Sequence, residues 1–249
     1  MVTFRSLLSR VDRAATDLLL PPRCACCGVD IVNSQPISLC DDCVTILASN
    51  EDFCGRCGLP CRVGGKETES CSRCRDSKLR FDAAIPLGHY RDALRDAILE
   101  MKRPAGESLA VAIGRLLATR RESLIREFDA DCLIPIPMYW GRRIWRGVNS
   151  PQIIAEELAR ITGLPTLPGA LARNRNTLPQ KELGHSERFR NVRGAFALGG
   201  GYGLRGTRVL IVDDIMTTGA TCSEVSRVLK RGGVAAVCAV VAGRAVAHS

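Results

Sequence analysis

The apolar positions of residues 81–249 follow two periods that alternate along the chain. Short, continuous apolar runs of the kind that form buried strands lie at residues 83–89, 132–137, 208–212 and 234–241. The segments between them carry apolar residues at helical spacing, at residues 91–101, 109–117, 150–163 and 222–230. Strands that alternate with helices in this way predict an α/β fold with a doubly wound, mostly parallel sheet.

The third of these helices has the clearest predicted ends. Ser150 is expected to be its N-cap, because a serine hydroxyl can accept a hydrogen bond from the first turn. Pro151 then lies in the first turn, where proline is tolerated, and Gly163 follows the end. Ile154, Leu158 and Ile161 form the face that we expect to be buried.

Residues 1–80 show no such alternation and differ in character from the rest of the chain. Residues 1–20 have apolar positions at helical spacing interrupted by charges, which predicts an amphipathic helix and lacks the unbroken apolar core of a secretory signal. Ten of the thirteen cysteines follow, between Cys24 and Cys74. We therefore expect two domains, a cysteine-rich one at residues 1–80 and an α/β one at residues 81–249.

Eight of these cysteines form four C-x-x-C pairs, and this repetition indicates metal binding. Since residues 1–20 lack the pattern of a secretory signal, we expect these cysteines in the cytosol, where thiols stay reduced, and a disulfide framework is the weaker explanation. A thioredoxin-like redox site would need one isolated C-x-x-C pair. Zn²⁺ takes four thiolates in a tetrahedron, which leaves no position for substrate, so the zinc is expected to be structural. The predicted ligands are Cys24, Cys27, Cys40, Cys43, Cys54, Cys57, Cys71 and Cys74.

The spacing of the pairs leaves their grouping open. Twelve residues separate the first two pairs and thirteen separate the last two, which suits a small zinc ribbon. Sequential grouping gives two ions with four cysteines each, and interleaved grouping would use the same eight ligands. Cys26 and Cys61 offer alternative ligands within the same segment.

The net charge of +9 is concentrated in one part of the chain. Residues 141–208 hold 12 Lys and Arg against 4 Asp and Glu, a net charge of +8. A local positive field of this kind commonly faces an anion, although a solvated basic surface gives the same count. No apolar run reaches the roughly 18 residues that a membrane-spanning helix needs, so we expect no membrane span.

The most informative stretch is VLIVDDIMTTGAT at residues 209–221. Its apolar half predicts a strand with Asp213 and Asp214 at the tip, followed by a loop that leads into a helix. Loop N–H groups and a helix N-terminus attract a phosphate, and the carboxylates can accept hydrogen bonds from sugar hydroxyls or hold Mg²⁺. The residues expected to bind the phosphate are Thr217, Thr218, Gly219, Ala220 and Thr221.

This stretch resembles the phosphoribosyl pyrophosphate (PRPP) signature of type I phosphoribosyltransferases, and with the C-x-x-C pairs before it the chain resembles the ComF family. The segment IPIPMYWGRRIWRGVN at residues 134–149 resembles that family's pyrophosphate-side loop, and Met101-Lys102 resembles its helix-end lysine. Residues 178–196 resemble its flexible loop through Gln180, Arg188, Asn191 and Phe196. The resemblance implies a type I phosphoribosyltransferase fold with a small N-terminal four-cysteine, zinc-ribbon-like domain.

One segment departs from the family pattern. The family commonly reads R-G-F-N-Q where this chain has RGVNS at residues 146–150. An aromatic and an amide side chain are therefore missing next to the implied pyrophosphate loop, so the family's substrate contacts do not carry over to this segment.

The resemblance also implies roles for individual residues. Asp213 and Asp214 would bind the ribose hydroxyls, and the loop after them the 5-phosphate of PRPP. Breaking the bond between the anomeric carbon and pyrophosphate leaves negative charge on the leaving group, which Mg²⁺ and basic side chains would neutralise. The basic residues expected there are Lys102, Arg142, Arg143 and Arg146. A helix-end role for Lys102, opposite the helix dipole, is an equally good explanation.

Two functions are open at this point. The first is an enzyme that binds PRPP or a related phosphorylated sugar with Mg²⁺ and transfers ribosyl 5-phosphate to an unidentified nitrogen acceptor, or that has lost the transfer. The second follows from the association of ComF-like proteins with competence for DNA uptake. It is a cytoplasmic accessory protein that binds single-stranded DNA through the basic stretch and contacts competence-machinery proteins. A P-loop NTPase is excluded because the chain has no G-x-x-x-x-G-K-[ST] motif.

Overall fold

The computed structural model describes residues 22–31, 37–48, 51–61, 71–72, 74, 77, 79–139, 148–178 and 184–246. The amphipathic helix expected at residues 1–20 lies outside the described residues, and so does the basic loop with Arg142, Arg143 and Arg146. None of the helices in these ranges is both long and apolar enough to cross a membrane.

Strands and helices alternate after residue 82, as the hydrophobic pattern predicts. Within the described ranges the strands are β1 (Ala83–His89), β2 (Cys132–Pro135), β3 (Leu171–Arg173), β4 (Phe196–Leu198), β5 (Arg208–Met216) and β6 (Ala236–Arg244). The helices are α1 (Asp41–Leu47), α2 (Asp92–Glu100), α3 (Glu107–Arg120), α4 (Glu122–Glu127), α5 (Ser150–Thr162), α6 (His185–Val192) and α7 (Ala220–Arg231).

Four of the strands form one parallel sheet in the order β1-β6-β5-β2. In register, Leu210 of β5 pairs with Cys238 of β6 on one side and with Leu133 of β2 on the other. Each parallel connection has to cross over the sheet, which is why helices separate these strands in sequence. Strands β3 and β4 form a separate antiparallel pair.

Both faces of the parallel sheet are covered. Leu210 and Val212 pack on the face that carries α2, α3 and α5, whereas Val209 and Ile211 pack on the face that carries α7 and the β3-β4 pair. Near-continuous apolar strands are the signature of a sheet that is buried on both faces. The predicted doubly wound α/β fold is therefore confirmed.

The prediction that Ser150 caps helix α5 is wrong by one residue. The helix begins at Ser150, and Asn149 is the N-cap, although it makes no side-chain cap bond. The side-chain amide of Asn149 instead donates to Gln152 Oε1 at 3.0 Å. Asn and Ser are equally good N-cap residues, so the adjacent pair leaves the boundary ambiguous in the sequence. Gly163 ends the helix in the left-handed conformation, as predicted. Ile154 and Leu158 are buried as predicted, but Ile161, in the last turn, is exposed.

The cysteine-rich region forms two small hairpin turns that pack on the sheet and its helices. An antiparallel bridge joins Arg23 to Asp30 in the first turn, and Phe53 to Pro60 in the second. Apolar residues of the first turn and of α1 share a core with α2 and with the sheet face beneath it. The second turn is attached directly to β1, because the Ala84 N–H donates to the Gly55 carbonyl at 2.8 Å.

Candidate functional site

Eight cysteine sulfurs come together as two separate groups of four. The first group is Cys24, Cys27, Cys40 and Cys43, and the second is Cys54, Cys57, Cys71 and Cys74. Within each group all four sulfurs lie within 4.8 Å of one another. The grouping is therefore sequential, and the interleaved alternative is excluded. Cys26 and Cys61 belong to neither group.

Backbone hydrogen bonds favour the thiolate form of one cysteine in each group. The Cys40 N–H donates to Cys24 Sγ, and the Cys71 N–H donates to Cys54 Sγ, both at 3.4 Å. Burial opposes ionisation of Cys24, but hydrogen bonds from the backbone of Cys27, Cys40 and Cys26 outweigh it and lower the pKa of this thiol to about 6. The same balance, with burial again opposed by backbone hydrogen bonds, lowers the pKa of Cys54 to about 7.

This donor set fits structural zinc. Four sulfurs at mutual contact distance supply the complete tetrahedral shell that Zn²⁺ takes in ribbon domains. Because every ligand is a protein thiolate, the shell has no open position for a water or a substrate. The cysteine groups therefore hold the fold together, and the chemistry has to be sought elsewhere.

Strand β5 extends further than the sequence predicts. The apolar pattern ends at Val212, yet β5 continues to Met216 because it stays paired with β6, with Asp213 opposite Val241. The other neighbour ends earlier, since the last pair between β2 and β5 is Pro135 with Val212. The predicted strand end at Val212 is wrong: Asp213 and Asp214 lie within β5, on a segment that pairs with β6 after β2 has ended.

The two aspartates have different surroundings because successive strand residues face opposite sides of the sheet. Asp214 forms an ion pair with Lys102 at 2.7 Å, and both side chains are about four-fifths buried. Asp213 Oδ1 accepts a hydrogen bond from the Asp214 N–H at 2.8 Å. Burial, and repulsion from Asp214, raise the pKa of Asp213 to about 8. The predicted carboxylate pair and the predicted lysine therefore do come together.

The loop after β5 presents unpaired backbone donors. Within the described part of the chain, the N–H groups of Thr217, Thr218 and Gly219 make no hydrogen bond. The Ala220 N–H, in the first turn of α7, donates to Thr218 Oγ1 at 3.3 Å. Three successive free N–H groups before the positive end of a helix form the kind of concavity that binds a phosphate.

Gly219 makes this loop conformation possible. Its φ is +78°, in the left-handed region that other residues avoid. A Cβ atom at this position would lie 3.2 Å from Leu79 Cδ2 and 3.3 Å from Phe81 Cε1. The positive φ therefore favours glycine here, and the neighbouring side chains leave little space for a Cβ atom.

A buried arginine that the sequence reasoning missed supports the loop from below. Arg244, the last residue of β6, is 4% exposed. One terminal nitrogen donates to the Met216 carbonyl at 3.0 Å and also to the carbonyl of Thr217. Its Nε donates to the Cys57 carbonyl at 2.8 Å. A charged residue at the end of an otherwise apolar strand was the available signal.

The remaining predicted residues are not all part of this arrangement. Asn191 lies in α6, and its side chain exchanges two hydrogen bonds with the backbone of Leu178, at 3.0 and 3.1 Å. Phe196 lies in β4, where the guanidinium of Arg173 stacks 5.3 Å from its ring. Gln180 lies outside the described residues, together with the three arginines of the basic loop.

Two family models match this chain. The model described as "Double zinc ribbon domain" matches residues 15–75, and the model described as "Phosphoribosyl transferase domain" matches residues 172–247. The first includes both cysteine groups, and the second includes the aspartate pair, the loop and Arg244. The order of these domains agrees with the resemblance stated from the sequence, which is thereby confirmed.

Curated relatives match over most of their length. Competence protein F of Haemophilus influenzae is 29% identical over 202 residues, which cover 79% of this chain and 86% of that protein. The DNA utilization protein YhgH of Salmonella typhi is 28% identical over 226 residues, 88% of this chain and 96% of that protein.

Solved structures match more weakly. A glutamine PRPP amidotransferase from B. subtilis, complexed with ADP and GMP, is 23% identical with a TM-score of 0.39 and covers 58% of this chain and 30% of that chain. A purine phosphoribosyltransferase from Pyrococcus horikoshii is 19% identical with a TM-score of 0.33, covering 52% of this chain and 82% of that one. At these scores the likeness assigns no role to any residue.

Proposed function

We propose that this chain, which joins a double zinc ribbon to a phosphoribosyl transferase domain as proteins of the ComF family do, binds PRPP at the carboxyl end of β5. The observation that carries the proposal is the row of N–H groups at Thr217, Thr218 and Gly219 in front of α7, which have no partner among the described residues. In parallel α/β sheets, ligands bind beyond the carboxyl ends of the strands, which is where this loop lies.

Each part of the site then has a task. The loop N–H groups hold the 5-phosphate, and Asp213 and Asp214 accept hydrogen bonds from the ribose hydroxyls. Lys102 already lies 2.7 Å from Asp214 and is partly exposed, so it can face the pyrophosphate while it stays paired. The two carboxylates suit Mg²⁺, which binds oxygen ligands and phosphates and would neutralise charge on the leaving group.

Transfer would break the bond between the anomeric carbon and pyrophosphate and form a bond from that carbon to a nitrogen of the acceptor, which loses a proton. The protein groups act by position and charge: the loop and the aspartates fix the sugar, and Lys102 stabilises the departing anion. The acceptor class is a nitrogen nucleophile.

Calorimetric titration of PRPP with Mg²⁺ into the zinc-loaded protein tests the binding. Asp214→Asn should weaken the affinity at least tenfold, since a hydrogen bond to a charged group contributes about 1.5–3 kcal/mol. Glu122→Gln is the matched control, because Glu122 is a carboxylate on α4 that pairs with its helix neighbour Arg126. Equal affinity in both variants would contradict the proposed sugar contact.

A screen for pyrophosphate release with candidate nitrogen bases tests the transfer. Release that depends on one base, and that Asp214→Asn abolishes, would support catalysis. Binding without release for every base would leave PRPP as a ligand that the protein holds without transferring the ribosyl phosphate.

A second candidate function, binding of single-stranded DNA, is favoured by a basic groove on the outer side of α7. Two adjoining cavities of about 440 and 310 Å³ share Arg80, Arg227 and Arg231. Arg193 and the partly exposed ring of Phe189 line the larger one. Single strands bind in positively charged grooves in which bases stack on aromatic rings. Two curated relatives carry names that refer to DNA utilization and competence.

Much of the charge in this groove is available to a ligand. Arg227 pairs with Glu224 at 2.6 Å. Among the described residues, no carboxylate pairs with Arg80, Arg193 or Arg231, and all three are exposed. The groove also reaches Ala220, so a DNA strand bound in it would end beside the loop at residues 217–219, called the phosphate loop below.

Fluorescence anisotropy with a short labelled oligodeoxynucleotide tests this candidate over a salt series. Replacing Arg80, Arg193 and Arg231 by Ala should weaken binding and flatten the salt dependence, by about 0.7 in slope for each phosphate that is no longer neutralised. Arg126→Ala, on α4, is the control. Unchanged affinity in the triple variant, or a preference for duplex DNA, would count against the groove as a single-strand site.

A further inference from the structure

Arg244 is a buried cation held by backbone carbonyl groups. It donates to Cys57 in the second cysteine group and to three carbonyls around the loop, those of Met216, Thr217 and Ala245. In the described part of the chain no carboxylate forms an ion pair or a hydrogen bond with it. A guanidinium that is removed from water without a carboxylate needs another source of negative charge.

The second cysteine group supplies that charge. The Nε of Arg244 donates to the Cys57 carbonyl at 2.8 Å, so the guanidinium lies beside one of the four ligands of this group. A divalent ion with four thiolates carries a net charge of about −2, because the ligands bind as thiolates. With its metal, the group is therefore a dianion beside the buried arginine that also holds the phosphate loop.

We propose that Arg244 is a positioning residue that couples the metal content of the second cysteine group to the conformation of the phosphate loop. When the group holds its ion, the Cys57 carbonyl is fixed and the negative charge keeps the guanidinium in place. The guanidinium in turn fixes the carbonyls of Met216 and Thr217, so that the N–H groups of the loop face outward. This coupling rests on the proposed binding of PRPP.

A second set of contacts, independent of Arg244, also connects the second cysteine group to the loop. Arg56, between two ligands of the second group, donates to the Leu79 carbonyl at 2.8 Å and also to the Phe81 carbonyl. The side chains of Leu79 and Phe81 are the ones that lie against Gly219. The second group thus supports the loop from two sides, through Met216 and Thr217 and through Gly219.

Linkage provides a test that needs no variant. If the metal in the second group raises the affinity for PRPP, PRPP has to raise the affinity of that group for its metal by the same factor. The zinc affinity of the protein is measured by equilibrium competition with a chromogenic chelator, with and without saturating PRPP. Alkylation of the released cysteines, followed by peptide mapping, identifies which group has lost its ion.

The expected result is that PRPP raises the zinc affinity of the second group about tenfold, within the usual range of coupling between two sites. The zinc affinity of the first group should not change. In Arg244→Lys, which keeps the charge but cannot form the same set of bonds, this gain in affinity should be lost while zinc still binds.

Calorimetric titration of PRPP into the same samples distinguishes a failure of the coupling from a failure of the proposed PRPP binding. If PRPP binds and the zinc affinity of both groups rises equally, or that of neither group rises, the coupling is wrong and the proposed function stands. If the gain in zinc affinity persists in Arg244→Lys, the connection does not run through Arg244. If PRPP does not bind at all, both the function and the coupling are wrong.

Discussion

The two cysteine groups are built alike and placed differently. In both, a hairpin turn carries a left-handed glycine, Gly28 or Gly58, and a backbone N–H donates to the first sulfur at 3.4 Å. The first group packs with α1 against α2, and its Cys27 is exposed. The second is more deeply buried and lies under the phosphate loop. The same motif thus supports helices α1 and α2 in one place and the base of the proposed PRPP site in the other.

The largest difference should appear when one ligand is removed from each group. Cys57→Ser should abolish zinc binding in the second group and weaken PRPP affinity more than tenfold, because a structural zinc site contributes roughly 10 kcal/mol or more to local folding. Cys27→Ser should also lose one zinc per chain but bind PRPP within about threefold of the parent. Its group reaches the proposed site only indirectly, through α2 and the Lys102 that follows this helix, and not through the loop. Metal analysis and calorimetry measure both.

Two results would contradict this prediction. Equal loss of PRPP affinity in the two variants would mean that both groups support the site, and that the difference in burial has no functional consequence. Retention of full affinity in Cys57→Ser, with the second ion absent, would mean that the loop holds its shape without the metal.

The glycines at equivalent positions of the two turns allow a second comparison, with a smaller expected effect. Gly28 and Gly58 both have a positive φ, +76° and +68°. A Cβ on Gly28 would meet nothing within 4 Å among the described residues, whereas one on Gly58 would lie 3.3 Å from Ala84 Cβ and 3.4 Å from Met216 Cε. Gly28→Ala should cost about 1 kcal/mol of backbone strain. Gly58→Ala should cost a further ~1–2 kcal/mol from overpacking, measured by chemical denaturation.

Equal costs for these two substitutions would show that the second turn can move away from β5 without penalty. That result would remove the packing argument for a connection between the second cysteine group and the loop.

The smallest effects are expected from two arginines, one in each turn. Arg56→Met removes hydrogen bonds to two carbonyls and should destabilise the protein by about 1–2 kcal/mol. Arg23 forms an exposed ion pair with Asp30 at 3.2 Å, so Arg23→Met should change stability by less than about 0.5 kcal/mol. Thermal unfolding of the zinc-loaded variants resolves the difference. A larger effect at Arg23 would reverse the order of importance of the two turns.

Local sequence patterns predicted much of the fold. Apolar runs located the four strands of the parallel sheet, and Gly163 marked the end of α5. The stretch at residues 209–221 predicted a strand, a loop and a helix in the right order, because each of these depends on nearby residues. The division of the chain at residues 80 and 81 stays a prediction.

Features that depend on distant contacts were not predictable in the same way. The C-x-x-C spacings are nearly identical, so only the folded chain shows which pairs meet. Strand β5 continues through Asp213 and Asp214 because of its pairing with β6, which no local pattern of β5 reveals. The role of Arg244 depends on Cys57, which is remote in sequence.

The most direct test of the central claim is an amide NMR titration of the zinc-loaded protein with PRPP. Binding of the 5-phosphate by the loop predicts large downfield shifts of the Thr217, Thr218 and Gly219 amide protons, with smaller changes along α7. Shifts confined to the arginine groove of α7, with these three amides unmoved, would contradict the claim that the loop is the anion site.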